Sequence, residues 1–268
     1  MYTKYIEAVR KNTSLSETEW NFKSDKNYRD ILEHVDEKLG TIYFNEVKIR
    51  FSKVFIENKK FLAELCKEND KYGKPLKSFF PEFSFCSPTN LRYILHSLLI
   101  LEYAQKINLN DLNIIEIGGG YGGLCFFLNK LSRLFDITIK SHTIFDLEEV
   151  SQLQSLYLNK LQINNFKVCQ LNNFKDLNND SFLISNYAFS EIPLEVQKEY
   201  AEKVIRPFTS RGFLCWNFIP LYQFIEYKLC IDKATRVPCN QILGNNINLS
   251  HFELSSKNNW IEETIVTY

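Results

Sequence analysis

Apolar side chains recur every three or four positions through Phe44, Val47, Phe51, Val54, Leu62 and Leu65, with Lys and Glu between them. That spacing paints one apolar face on a helix, which Gly73 and Pro75 bring to an end. The first 80 or so residues read as helical throughout. An aromatic and Pro-containing stretch from Phe79 to Phe85 predicts a loop. Ser87 then reads as a helix cap with Pro88 at the first helical position. The helix it opens carries Leu91, Ile94, Leu95, Leu98 and Leu101 and runs to about Ile107.

After Asn110 the texture changes. Short apolar runs predict strands at Leu112–Ile117, His142–Leu147, Phe166–Gln170, Ser181–Tyr187 and Gly212–Phe218. Helical patterns separate them at Leu124–Leu134, Val150–Leu161 and Leu194–Pro207. The tail segments Asn246–Leu254 and Trp260–Tyr268 read as a closing antiparallel hairpin. Such alternation builds an α/β fold, a doubly wound and mostly parallel sheet with right-handed crossovers. The expected organisation is a helical extension over residues 1–86 followed by one α/β domain over 87–268.

Composition narrows the function. The 268 residues carry 32 Lys+Arg against 32 Asp+Glu and are 45% hydrophobic, enough to bury a full core. Balanced charge removes the electrostatic footprint of a nucleic-acid binder and leaves no polybasic patch for a membrane surface. No run approaches the roughly 18 apolar residues of a membrane span, and Met1–Glu7 lacks the layout of a secretory leader. Seven scattered Cys without a C-x-x-C pair argue against a disulfide framework or a thiolate zinc site, so a reducing, cytoplasmic setting is expected. With no H-x-x-H, H-E-x-x-H or clustered Asp pair, no metal site is expected.

The sharpest chemistry lies in Ile114-Ile115-Glu116-Ile117-Gly118-Gly119-Gly120-Tyr121-Gly122-Gly123-Leu124. It follows a strand and opens a helix, so its glycines permit a tight turn and let a ligand lie against the backbone. Asp146, at the end of the next strand, is placed to accept hydrogen bonds from ribose hydroxyls. Glu116 separates two cofactor classes. A pyrophosphate gains nothing from an acid at the mouth of the loop, whereas the sulfonium and ammonium of S-adenosylmethionine do.

With Phe145-Asp146-Leu147, this segment resembles the class I S-adenosylmethionine-dependent methyltransferases. More narrowly it resembles the sugar O-methyltransferases, through Ser87-Pro88-Thr89-Asn90-Leu91-Arg92-Tyr93, the Leu153-Gln154 and Tyr157-Leu158 helix, and Ser185-Asn186-Tyr187-Ala188-Phe189-Ser190-Glu191. The resemblance covers about Ser87 to Phe218. It implies a seven-stranded Rossmann-like sheet and S-adenosylmethionine as cofactor. Glu116, Gly118, Gly119, Gly120, Tyr121 and Gly122 would border the methionine part, Asp146 the ribose, and Leu147 the adenine. Asn172, Asn173 and Phe174 stand where relatives place an acid and an aromatic around the adenine. Asn186 and Tyr187, after the fourth strand, complete the expected cofactor set.

Methyl transfer to oxygen requires positioning and removal of the acceptor proton. Glu191 is the first candidate base, though an acid there also suits a helix start. His96 and His251 are further candidates. Arg92, Tyr93, Ser190 and Asn217 are the expected substrate contacts, with a surface ion pair and a core aromatic as the other readings of the first two. The expected activity is methylation of a sugar hydroxyl on a glycan or nucleotide sugar. A phenolic or peptide acceptor, a catalytically silent partner subunit and assembly as a homo-oligomer stay open. An NAD(P)-dependent oxidoreductase would use Gly118, Gly120, Gly123 and Asp146 but leave Glu116 unexplained.

Overall fold

The computed structural model describes residues 2–216, 248–253 and 262–268. Four helices precede the sheet: α1 (Tyr2–Thr13), α2 (Lys26–Arg29), α3 (Glu37–Arg50) and α4 (Ser52–Asn69). Asp25 caps α2 and Asp36 caps α3, each side chain accepting from the first-turn amides. The single helix expected across Phe44–Leu65 is two, because Phe51 leaves helical geometry at φ −115°, ψ 38° between α3 and α4. The expected aromatic loop is a small hairpin of β1 (Ser78–Phe80) and β2 (Ser84–Cys86). Helix α5 (Pro88–Lys106) begins at Pro88 as its sequence dictates, but Ser87 makes no side-chain cap. Its hydroxyl donates to Glu33 instead.

Alternation then proceeds through β3 (Asp111–Ile117), α6 (Gly123–Leu131), β4 (Thr138–Phe145), α7 (Glu148–Lys160), β5 (Phe166–Cys169) and β6 (Ser181–Asn186). A short α8 (Ala188–Glu191) precedes α9 (Leu194–Tyr200), which continues through a π-helical turn into α10 (Arg206–Phe208). The chain then enters β7 (Thr209–Trp216). Strands β5, β4, β3, β6 and β7 lie in that order and pair in parallel. The tail hairpin adds β9 (Glu262–Thr267), antiparallel to β7, with β8 (Asn248–Glu253) outside it. The chain leaves β3 outward through β4 and β5, then returns to β6 on the other side. That reversal opens a crevice at the carboxyl ends of β3 and β6, where such sheets bind ligands.

Alternate residues of β3 face different cores. Ile115 and Ile117 join the smaller cluster with Phe145, Phe189 and Tyr200. Ile114 faces the larger one, which unites α5, α6 and α7 with Trp20, Phe22 and Tyr28 of the N-terminal region. Phe22 packs its ring on Tyr28, Tyr121 and Tyr157, with centroids 5.4–5.8 Å apart. Buried Lys23 donates to the Asn69 carbonyl and to the Tyr157 hydroxyl and lies 4.3 Å over the Tyr121 ring. Burial pulls its ammonium down to about 8, against Glu33 and Asp70. Cys66, Cys86, Cys125, Cys169 and Cys215 are buried and form no disulfide with one another, whereas Cys230 and Cys239 lie outside the described residues. No described helix is long and apolar enough to cross a membrane.

Candidate active site

Where β3 ends, the backbone turns through Gly118, Gly120 and Gly122 with φ of +76°, +58° and +95°, a region costly for residues with a Cβ. At Gly118 the need is also spatial. A Cβ there would stand 2.1 Å from the Cβ of Ala188, the first residue of α8. The loops after β3 and β6 therefore touch at the crevice. At Gly120 an added Cβ would stand 3.1 Å from Cδ1 of Leu32.

Asp146, just past β4, braces this loop. Its Oδ2 accepts from the Gly120 amide at 3.2 Å and from Gln154 Nε2 at 2.9 Å, and its Oδ1 from the Leu147 amide at 2.9 Å. Gln154 also donates to the Gly120 carbonyl at 2.8 Å. Burial pushes the Asp146 carboxyl up to about 7, against the pull of these hydrogen bonds. Leu147 beside it is 47% exposed, an apolar surface at the mouth of the crevice.

The other wall is the turn after β6. Ser185 ties it to β3, donating to the Ile117 carbonyl at 2.7 Å while accepting from the Phe189 amide. Tyr187 takes φ +68°, ψ −37°, a strained conformation for a bulky residue. Its amide donates to the Cys215 carbonyl at 2.9 Å, and its carbonyl accepts from Ser190 Oγ at 2.6 Å. The Asn186 amide lies 2.8 Å from Nδ1 of fully buried His96. The His96 ring meets Tyr43 and Tyr187, each at 5.9 Å. Arg92, one turn before His96, donates Nη2 to the Leu32 carbonyl at 3.1 Å.

Gly118, Gly119, Gly120, Gly122, Asp146 and Leu147 thus gather on one side of the crevice, with Asn186, Tyr187 and Ser190 on the other. Several expected contacts fall elsewhere. Tyr121 is buried in the larger core, its hydroxyl accepting from Asn69 Nδ2 at 3.1 Å. Tyr93 is a core aromatic stacked on Phe127 at 6.0 Å. Phe174 packs edge-on to Phe145 at 5.2 Å, inside the smaller core, while Asn172 and Asn173 are exposed. Glu116 is 1% exposed; its carboxyl carbon would stand 3.4 Å from a Cβ added at Gly119, and its Oε2 lies 2.7 Å from His142 Nε2. His251 belongs to edge strand β8, level with Thr264, not to a loop. Glu191, half-buried, ends α8, and Asn217 lies outside the described residues.

Sequence reasoning missed Gln154, Ser185 and the Glu116–His142 pair. Gln154 sits in a segment that carries the resemblance, but its role depends on Gly120 and Asp146, which only the fold brings to it. Among the described residues no group of three or more His, Cys, Asp or Glu could hold a metal ion.

The sequence matches no protein-family model and no curated protein. Among solved structures it is similar to magnesium protoporphyrin IX methyltransferase ChlM of Synechocystis with bound S-adenosylmethionine. The identity is 14% over 67% of this chain and 80% of that one, with a TM-score of 0.45. It is also similar to an S-adenosylmethionine-dependent methyltransferase of Aquifex aeolicus, at 16% identity over 62% and 87% with a TM-score of 0.41. A third is TrmK of M. capricolum in complex with S-adenosylhomocysteine, at 12% identity over 62% and 66% with a TM-score of 0.39. These neighbours are methyltransferases. The chain spans 58%, 56% and 46% of three further structures, from Nostoc punctiforme, Methanococcus maripaludis and Galdieria sulphuraria.

Proposed function

We propose that the protein transfers a methyl group from S-adenosylmethionine to a hydroxyl of a sugar. The observation that carries the cofactor is the left-handed glycine turn braced by Asp146 at the switch point of the sheet. The residues present fit that group. Gly118 offers partly exposed backbone at the crevice, Asp146 presents a carboxylate to hydroxyl donors, and Leu147 offers an exposed apolar face to a flat ring. On the opposite wall the Asn186 side-chain oxygen is buried without a partner, a vacancy that a polar ligand would fill.

When bound, S-adenosylmethionine supplies an electrophilic methyl on a sulfonium. Asp146 would hold the ribose hydroxyls and Leu147 would cover the adenine. Arg92, fixed by the Leu32 carbonyl, would offer its remaining N–H donors to a carboxylate or to sugar oxygens. Glu191 would take the acceptor's proton from its place beyond the strained Tyr187 turn, with His96 holding that turn through Asn186. The sugar as acceptor rests on the Ser87–Tyr93 and Ser185–Glu191 resemblance. Residues 1–86 act in this reading as a helical extension closing one side of the site.

Calorimetric titration with S-adenosylhomocysteine and NADH, side by side, tests the cofactor. Micromolar binding of the first alone is expected, and binding of NADH alone would reverse the assignment. Once an acceptor is found by screening sugar nucleotides, Glu191→Gln should lower kcat by about 10²–10⁴-fold with little change in cofactor affinity.

A further inference from the structure

The acid of the glycine segment, Glu116, is the residue expected to meet the positive amino-acid end of the methyl donor. Its carboxyl lies beneath Gly119 and is held by His142 through Oε2, at 2.7 Å. Another carboxylate stands beside that loop with no cation in ion-pair contact among the described residues, though Lys23 and Arg92 act on it from further off. Glu33 follows Leu32, the residue that packs on Gly120, and is 6% exposed. Its Oε2 accepts a long hydrogen bond from Ser87 Oγ, at 3.4 Å, the Thr89 hydroxyl is within reach of the carboxylate, and Oε1 makes no well-formed hydrogen bond. The nearby cations are engaged with other acceptors: Lys23 with Asn69 and Tyr157, and Arg92 with Leu32. Two more oxygens near Glu33 are buried, the hydroxyls of Tyr28 and Thr89, and the Tyr28 hydroxyl has no partner. Thr89 lies against the carboxylate, and both Glu33 and Asp146 act on the Tyr28 phenol.

A buried carboxylate with an orphan oxygen is costly unless a cation or a proton completes it. An ammonium carries three N–H donors, and Glu33 Oε1 with the hydroxyls of Tyr28 and Thr89 offers it three buried oxygens from two stretches of the chain. We propose that Glu33, with the hydroxyls of Tyr28 and Thr89, binds the α-ammonium of S-adenosylmethionine in place of Glu116. This rests on the cofactor reading above. Burial pushes the Glu33 carboxyl above the ordinary range, and Lys23 pulls it back, so a bound cation would favour the ionised form further.

The test compares S-adenosylhomocysteine with 5′-methylthioadenosine, which keeps the nucleoside and sulfur but lacks the amino acid. Calorimetry on the full chain should show Glu33→Gln weakening S-adenosylhomocysteine 10- to 100-fold while 5′-methylthioadenosine changes less than about twofold. Glu33→Asp should recover part of the loss, and Glu116→Gln should leave the affinity ratio of the two ligands unchanged. Unchanged S-adenosylhomocysteine binding in Glu33→Gln, or equal loss of both ligands, would overturn the assignment. So would a ratio erased by Glu116→Gln. Should Glu33→Gln fail to fold, wild-type protein decides, because N-acetylated S-adenosylhomocysteine lacks the cation and must bind at least 10-fold more weakly. Wild-type protein that binds none of these ligands would defeat the cofactor reading itself, a distinct outcome.

Discussion

Asp146 is the residue at which affinity and acidity meet. With its carboxyl raised to about 7, it is mostly protonated at pH 6 and mostly ionised at pH 8. If ribose hydroxyls donate to the ionised form, as proposed, S-adenosylhomocysteine affinity should fall about tenfold from pH 8 to pH 6. Asp146→Asn should bind weakly with a flat profile over the same range. Because the folded-state value lies above the unfolded one of 3.8, the group's stabilising contribution is complete below about pH 4 and is lost as pH rises through 7. Urea titrations at several pH values would show that slope, and Asp146→Asn would remove it. Asp146 was legible in the sequence because its position relative to the glycines is set by one strand–helix–strand unit. Glu33 was not, since what marks it is an absence of partners, and only assembled neighbours reveal an absence. The His142 partner of Glu116, 26 residues away, was hidden for the same reason.

The strand–turn–helix unit of β3, the glycine turn and α6 carries both fold and site, and its fit to α8 is checkable. Gly118→Ala sets a Cβ against Ala188 at a positive φ, which should cost at least about 2 kcal/mol. Adding Ala188→Gly removes the steric part and leaves the dihedral part, so chemical denaturation of the double variant should show partial recovery. The elements of this half were readable because strands and helices alternate with clean periodicity. The break at Phe51 was not, because the apolar stripe continues across it while the backbone does not. The hairpin at Ser78–Cys86 was hidden by its brevity and by Pro81 between its strands. Tyr93 and Tyr121 show the limit of reading aromatics near a motif. Their neighbours at the glycine turn draw attention to a ligand, yet both rings serve the core.

For the whole molecule, the boundary expected near residue 86 is not a boundary in packing. One continuous core runs from Tyr5 and Phe22 to the sheet, and Phe22 reaches Tyr121 at the edge of the glycine turn. Phe22→Ala should cost about 3–5 kcal/mol. It should also weaken S-adenosylhomocysteine binding, although Phe22 is not proposed to touch the ligand. Denaturation followed by tryptophan fluorescence and by calorimetry should coincide in a single transition.

The five buried thiols divide between the N-terminal region and the sheet with its helices. Cys66 and Cys86 belong to the N-terminal half, and Cys125, Cys169 and Cys215 to the sheet and its helices. They are native timers of opening, since an alkylating reagent reaches each sulfur only when its surroundings come apart. In protein with Cys230 and Cys239 replaced by Ser, peptide mapping of timed alkylation should give all five one common rate if the halves open together. Faster labelling at Cys66 and Cys86 would reveal helices that lift away from an intact sheet, and added S-adenosylhomocysteine should then slow those two thiols selectively.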